Sequence, residues 1–120
     1  MSETENLYLL IDTIADGIKA TSRDLDRSWK LYVSLHLRRC RLELKAEMLT
    51  ASISRVESEG KSCEVAEMRS KAQSLEDEAR CIRGELDRLD EKMVYLGGCR
   101  DDFIKYLEDI DSTYKSLTSN

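Results

Sequence analysis

The sequence predicts an all-α fold: an elongated antiparallel coiled-coil helical hairpin with an additional N-terminal helix, in a single helical domain over residues 1–120. Apolar residues recur at alternating spacings of three and four, no proline interrupts them, and one glycine stands where a tight turn would join two helices. A composition of 36% charged and 41% apolar residues suits a thin helical core better than the thick interior of a globule.

The longest apolar row occupies the C-terminal half of the chain. A 3–4 alternation keeps one narrow face of a helix turned toward a partner helix, which is typical of coiled coils. Arg100 is the only member of this row that is not apolar. The row consists of Val65, Met68, Ala72, Leu75, Ala79, Ile82, Leu86, Leu89, Met93, Leu96, Arg100, Phe103, Leu107, Ile110, Tyr114 and Leu117.

The N-terminal segment carries the signals of a short amphipathic helix. Ser2 and Glu5 have the spacing of a capping box, and apolar residues follow on one face. These signals predict a first helix over residues 3–20. Thr21 or Ser22 then has the chemistry of a new N-cap, with Asp24 in the first turn, which predicts a second helix over residues 23–59.

The predicted second helix carries two apolar stripes. The first is a seam of Leu25, Tyr32, Leu35, Leu42, Ala46, Leu49, Ile53 and Val56. The second, interpreted as adjacent to it, consists of Trp29, Val33, Leu37, Cys40, Leu44 and Met48. A helix with two apolar stripes touches two neighbours. One neighbour is the third helix, and the other is either the first helix folded back or a second copy of the protein, which would make a homodimer.

Gly60 occupies the position of a left-handed C-cap, and Ser62 that of the next N-cap, so a third helix is predicted over residues 62–117. Such a short connection makes the two long helices antiparallel, with residue i opposite about residue 122 minus i. Gly97-Gly98 then faces Asp24-Leu25, beside the predicted break at Thr21-Ser22. We therefore expect the third helix to be weakened at residues 97–98, where both strands of the hairpin would share a hinge.

Composition argues against several classes of function. The net charge of -5 is unlike the basic excess of a dedicated nucleic-acid binder. The acidic start and the short apolar stretch from Leu7 to Ile11 do not resemble a signal peptide or a membrane span, so we expect a cytoplasmic protein without membrane contact. The four cysteines form no metal-binding pattern and are expected as free thiols at or near helix interfaces. His36 and Cys40 share a face but lack an orienting acid, so neither an enzyme nor a cofactor is predicted.

Three groups of residues are candidates for partner binding. The basic run of Arg38, Arg39, Arg41 and Lys45 could contact phosphates, although a solvated face paired with acids is the favoured interpretation. The stripe with Trp29, Val33 and Leu37 could bind a protein, while core packing is favoured for the tryptophan.

The third group is acidic and lies toward the two chain ends. The net charge of these two segments is -5, from nine acids and four cations. The acids are Glu3, Glu5, Asp12, Asp16, Asp101, Asp102, Glu108, Asp109 and Asp111, and the cations are Lys19, Arg100, Lys105 and Lys115. Of these acids, Asp101, Asp102, Asp109 and Asp111 are the candidate binding residues. Three interpretations stay open: contact with a basic protein surface, mimicry of nucleic-acid charge, or charge that only keeps the helices soluble.

Residues 40–105 resemble a group of small helical proteins encoded by tailed bacteriophages and prophages, often near recombination or replication genes. The resemblance rests on a long charged helix ending in Val56-Glu57-Ser58-Glu59-Gly60-Lys61-Ser62, an alanine-containing helix from Glu64 to Ala79, and a leucine-rich stretch from Cys81 to Leu96. It implies an accessory protein of the host cytoplasm that acts by binding. The predicted function is a protein interaction module, an adaptor or inhibitor of a larger machine. The alternative is a factor in DNA recombination or replication that contacts nucleic acid through the basic run.

Overall fold

The computed structural model describes residues 2–118, which form two long helices joined by a short turn. α1 spans Glu3–Ser58 and α2 spans Ser62–Thr118. No strand occurs between residues 2 and 118. The all-α helical hairpin predicted from the sequence is confirmed.

The predicted capping box closes the start of α1. The Glu5 amide donates to Ser2 Oγ at 3.2 Å, and the Ser2 amide donates to a Glu5 carboxylate oxygen at 3.4 Å. Two amides that the helix itself leaves without partners are thus satisfied by side chains.

The predicted break between the first two helices is wrong, because α1 continues unbroken through residues 21 and 22. Thr21 does not act as an N-cap. Its hydroxyl donates to the carbonyls of Gly17 at 2.9 Å and Ile18 at 3.0 Å, in the preceding turn of the same helix. The additional N-terminal helix is therefore the first part of α1, and it does not fold back on the second part.

The predicted weak point at Gly97-Gly98 is not a break either, since α2 is continuous there. Among the described residues only Gly60 has a positive φ, so both of these glycines have ordinary helical backbone. No proline interrupts the helix, and the cost of glycine is entropic rather than geometric.

A Schellman motif ends α1 at the predicted glycine. Gly60 has a φ of 75°, its amide donates to the Glu57 carbonyl at 3.0 Å, and the Lys61 amide donates to the Val56 carbonyl at 3.5 Å. The Lys61 carbonyl then accepts from the Val65 amide at 3.1 Å. Lys61 is therefore the N-cap of α2, and Ser62, predicted as the cap, is the first helical residue.

The chain divides into two compact units. The turn unit comprises residues 30–90, and the terminal unit comprises residues 1–29 with 91–120. In the turn unit, Leu42 packs with Ala79, Ile82 and Leu86, and Tyr32, Leu35 and Leu75 border this cluster. Nearer the turn, Ile53, Val56 and Val65 form a second cluster that Met68 borders. Both clusters join the predicted seam of α1 to the apolar row of α2.

Salt bridges between the helices flank this core in the turn unit. Arg38 pairs with Glu78, Arg83 with Glu43, and Arg69 with Glu57. All six side chains are at least 30% exposed, so solvent screens these pairs. The apolar clusters rather than the salt bridges carry most of the helix–helix association.

The core of the terminal unit is smaller. Ile14 and Ser28 are its buried side chains. Gly17 leaves room for the Phe103 ring of α2: a Cβ built on it would lie 3.0 Å from the tip of that ring. The predicted register places residue 19 opposite Phe103, two positions from the observed contact. The register estimated from the turn therefore holds to within two residues at this level.

The predicted α2 row is covered over most of its length. From Val65 to Ile110 every member is buried or half-buried, including Arg100. The last two members are exceptions, since Tyr114 is 53% exposed and Leu117 is 76% exposed. The register places Leu117 opposite Glu5, within the polar stretch from Glu3 to Asn6, and Tyr114 opposite Tyr8, which is itself 64% exposed. Leu117 therefore lies beyond the apolar face of α1, which begins at Leu7, and both side chains stay exposed.

Candidate functional site

An uncovered apolar row runs along α1 in the turn unit. We call Val33, Leu37, Cys40, Leu44 and Met48 the α1 row. Val33 is 39% exposed, Leu37 51%, Leu44 57% and Met48 62%, and Cys40 is also exposed. An exposed contiguous apolar surface of this kind usually marks an interface.

The position of the α1 row corrects one expectation from the sequence. The row was interpreted as adjacent to the seam that faces α2. Leu37 and the buried Leu42 are five positions apart, which separates them by about 140° at ~100° per residue. The row therefore faces away from α2, and no helix of the turn unit covers it.

Trp29, the remaining member of the predicted stripe, belongs to the terminal unit and is 56% exposed. The favoured interpretation, packing in the core, is wrong for this side chain. A half-exposed tryptophan retains a large apolar surface, which suits the alternative interpretation, a role in binding a protein.

The basic run is partly neutralised by acids within the chain. Arg38 pairs with Glu78 across the helices, and Arg39 lies 3.9 Å from Glu43 within α1. Arg41 and Lys45 are exposed and have no salt bridge within residues 2–118. The predicted face of four cations therefore presents two that are available to a partner.

The single histidine joins a small cluster beside this run. The His36 ring stacks on Tyr32 with 6.3 Å between the ring centroids, and its Nδ1 lies 3.1 Å from Arg39 Nη2. An arginine can only donate, so Nδ1 accepts, and Nε2 carries the proton that points to Cys40 Sγ at 3.8 Å. The imidazole thus acts as a donor to the thiol in this arrangement. A catalytic dyad needs it to act as a base held by an acid.

The acidic candidates all lie on exposed positions of α2 in the terminal unit. Asp111 pairs with Lys115 at 3.0 Å, one turn further along the helix. Asp101 and Asp102 are exposed beside the covered Phe103. Asp109 and Asp111 differ from the other two because they line a cleft between α1 and α2.

This end cleft has a volume of about 870 Å³. Exposed Tyr114 and Leu117 line its α2 side, and the half-buried Leu7 and Ile11 line its α1 side. Glu3, Asp109 and Asp111 contribute carboxylates. The acids were predicted from the sequence as candidate binding residues, whereas the cleft was not. The signal was available: the α2 row continues to Leu117, whereas the apolar face of α1 begins only at Leu7.

One titratable group outside these sites has a shifted pKa. The side-chain hydrogen bond with Cys99 raises the pKa of the exposed Tyr95, and the electrostatic interaction with Cys99 and desolvation raise it further. Cys99 lies one turn after Tyr95 on α2, which brings the two side chains together.

The four cysteines are free, as predicted, but their positions differ from the prediction. Cys40, Cys63 and Cys81 are exposed, and Cys99 is half-buried. Three of the thiols thus lie outside the interface between α1 and α2. Within the described chain, no three His, Cys, Asp or Glu side chains come together as ligands of a metal ion would. Over the same residues, neither helix has an apolar stretch long enough to cross a membrane.

Comparison of the chain with protein-family models, with curated protein sequences and with solved structures gives no match in any of the three. The α1 row and the end cleft are therefore the two surfaces that point to a function. The resemblance of residues 40–105 to phage accessory proteins stays a prediction.

Proposed function

We propose that this chain is a non-enzymatic coiled-coil interaction module that pairs with a second copy of itself through the α1 row. The observation that carries the proposal is the exposure of Leu37, Leu44 and Met48 on a helix face turned away from α2. Covering these side chains removes apolar area from water, which is the main driving force of association.

A second copy fits the α1 row better than a segment of the same chain. The other candidate was the predicted first helix folded back, and that segment is the continuous start of α1. The row is also close to symmetric about Cys40. Leu37 and Leu44 lie three and four positions from it, and Val33 and Met48 lie seven and eight positions away. A two-fold interface uses the same patch on both copies, so a symmetric row matches itself.

The module would serve as an adaptor or inhibitor of a larger machine in the cytoplasm. This role follows from binding surfaces without a catalytic arrangement, and from the resemblance to phage accessory proteins, for which the cytoplasm is that of the host cell. The only histidine, His36, supports the non-enzymatic part, since its Nδ1 faces Arg39 rather than an orienting carboxylate.

Sedimentation equilibrium of the full chain at about 50 μM tests the proposal. We expect twice the chain mass of 13.8 kDa. The double variant Leu37→Asp with Leu44→Asp should sediment as a monomer, because each carboxylate would be buried without a partner. Leu31→Asp is the matched control: Leu31 is 50% exposed and lies about 120° from Leu37 around the helix. A monomeric wild-type chain would overturn the proposal.

Cys40 supplies an independent test of the interface. In a two-fold pairing centred on the α1 row, Cys40 meets the Cys40 of the second copy whether the two helices run parallel or antiparallel. Mild oxidation of a variant that keeps only Cys40 should therefore give a disulfide-linked dimer. A variant that keeps only Cys81, which is also exposed but lies on α2, is the control. Equal cross-linking of both would indicate random collision.

The nucleic-acid alternative is tested by titrating duplex DNA at increasing salt. A phosphate-binding face loses affinity steeply as salt rises. Because Arg38 and Arg39 already face Glu78 and Glu43, we expect no measurable affinity. Salt-dependent binding that Arg41→Gln with Lys45→Gln abolishes would replace the adaptor proposal.

A further inference from the structure

The end cleft of the terminal unit has the features of a binding groove for a helix. Its α2 side presents Leu107, Ile110, Tyr114 and Leu117 at spacings of three, four and three, which is one face of about three helical turns. Leu7 and Ile11 form the opposite wall on α1. Two such apolar walls can accept a third helix in the way that neighbouring helices of a coiled coil accept one another.

The charges of the cleft select among possible occupants. Asp109 and Asp111 lie on either side of Ile110 along α2, and Glu3 lies on α1. Lys115 offsets Asp111 at 3.0 Å, whereas the Asp109 carboxylate has no salt bridge within the described residues. A second copy of this end would bring carboxylates against carboxylates, and a nucleic acid or an anionic membrane would be repelled. A cationic occupant is favoured.

We propose that the end cleft binds a basic amphipathic helix of a partner protein. Its apolar stripe, with residues at i, i+3 or i+4 and i+7, covers Tyr114 and Leu117, and its lysines or arginines pair with Asp109, Asp111 and Glu3. The walls from Leu107 to Leu117 extend about 15 Å at ~1.5 Å per residue, so the bound segment has about three turns. The basic helix would be the partner of the proposed adaptor. The cleft proposal rests on the proposed function in one respect only, namely that the chain is a binding module.

The probe is a fluorescent synthetic helix of about 18 residues, with leucines on one stripe and lysines elsewhere. A peptide with glutamates in place of the lysines is its control. Fluorescence anisotropy with the full chain should show saturable binding of the lysine peptide only. Absence of binding up to about 100 μM, or equal binding of the glutamate peptide, would overturn the proposal.

Two matched double variants locate the site. Tyr114→Ser with Leu117→Ser removes an exposed aromatic and an exposed aliphatic side chain from the cleft, and we expect about a tenfold or greater loss of affinity. Val94→Ser with Tyr95→Ser removes the same two kinds of side chain, each 71% exposed, from a part of α2 outside the cleft. This control should bind within about twofold of wild type. Equal loss in both variants would mean nonspecific adsorption.

A charge pair completes the test. Asp109→Asn with Asp111→Asn should weaken binding and flatten its dependence on salt, whereas Asp101→Asn with Asp102→Asn removes the same charge away from the cleft and should act less strongly. Equal effects would show attraction to net charge alone and overturn the proposal.

Sedimentation of the same samples separates the two proposals. A dimer that binds no peptide refutes only the cleft, and a monomer that binds it refutes only the homodimer. If the Tyr114/Leu117 variant becomes monomeric, the cleft holds a second copy instead.

Discussion

Glycine has opposite effects on stability at the turn and inside α2. Gly60 has a φ of 75°, which a side chain disfavours, so Gly60→Ala should cost about 1 kcal/mol of unfolding free energy. Gly97 and Gly98 are helical, and a Cβ on either would meet no atom within 4 Å. Replacing both with alanine should therefore add about 1–2 kcal/mol. Urea unfolding measures both changes, and a loss of stability in the double alanine variant would contradict the continuous helix.

Gly17 is the control for this prediction because it is helical but crowded. A Cβ there would lie 3.0–3.3 Å from three atoms of the Phe103 ring. Gly17→Ala should therefore gain less than either alanine at residues 97 and 98. In a Phe103→Leu background the ring is gone, and the gain from Gly17→Ala should return. Equal gains in both backgrounds would show that the ring moves aside without cost.

The Tyr95–Cys99 pair gives a prediction about ionisation. Because the hydrogen bond and the electrostatic interaction with Cys99 raise the pKa of Tyr95, Cys99→Ala should lower that pKa toward its ordinary value. The phenol would then lose its proton at a lower pH than in the wild-type chain. NMR titration of ring-labelled tyrosine, with Tyr95→Phe to assign the signal, measures the shift. Cys81→Ala is the control, and an equal change there would contradict the pairing.

At the scale of the helices, the features predicted correctly from the sequence depend either on local side-chain chemistry or on an apolar repeat that continues over many turns. The Ser2–Glu5 capping box, the Gly60 C-cap and the coverage of the α2 row to Ile110 are all found. Local chemistry misled at Thr21, because a threonine hydroxyl can cap a new helix or bond to the preceding turn of the same helix. Only the tertiary setting decides between these two uses.

The candidate surfaces were predictable to different degrees. The α1 row followed from its spacing, although its angular position was misjudged because apolar spacing alone does not state which stripe faces which neighbour. The end cleft needed the register of the hairpin as well. The register pairs Leu117 with the polar first turn of α1, and this pairing shows that the apolar row of α2 extends beyond the apolar face of α1.

In the turn unit, we predict that the apolar core contributes more to the free energy of unfolding than the salt bridges do. Leu86 is 4% exposed, and Leu86→Ala should cost about 2–4 kcal/mol. Converting Glu43, Glu57 and Glu78 to glutamine removes all three salt bridges between the helices, yet we expect a loss of at most about 2 kcal/mol, since exposed pairs contribute little. Urea unfolding compares the two variants. A larger loss in the glutamine variant would mean that the salt bridges hold the helices together.

At the scale of the whole molecule, self-association makes stability depend on concentration. A chain that is folded chiefly as a dimer gains about 0.7 kcal/mol per chain for each tenfold increase in concentration, because unfolding then includes dissociation. For a chain of 120 residues this corresponds to a rise in Tm of about 2–4 °C. Calorimetry from about 5 to 50 μM measures this rise in Tm.

The Tm of the Leu37→Asp and Leu44→Asp double variant should not depend on concentration, and Leu31→Asp should follow the wild type. The Tyr114→Ser and Leu117→Ser double variant should also follow the wild type, because the end cleft binds a different partner and is not part of the interface between the two copies. A wild-type Tm that does not change with concentration would contradict pairing through the α1 row and leave that row for another protein.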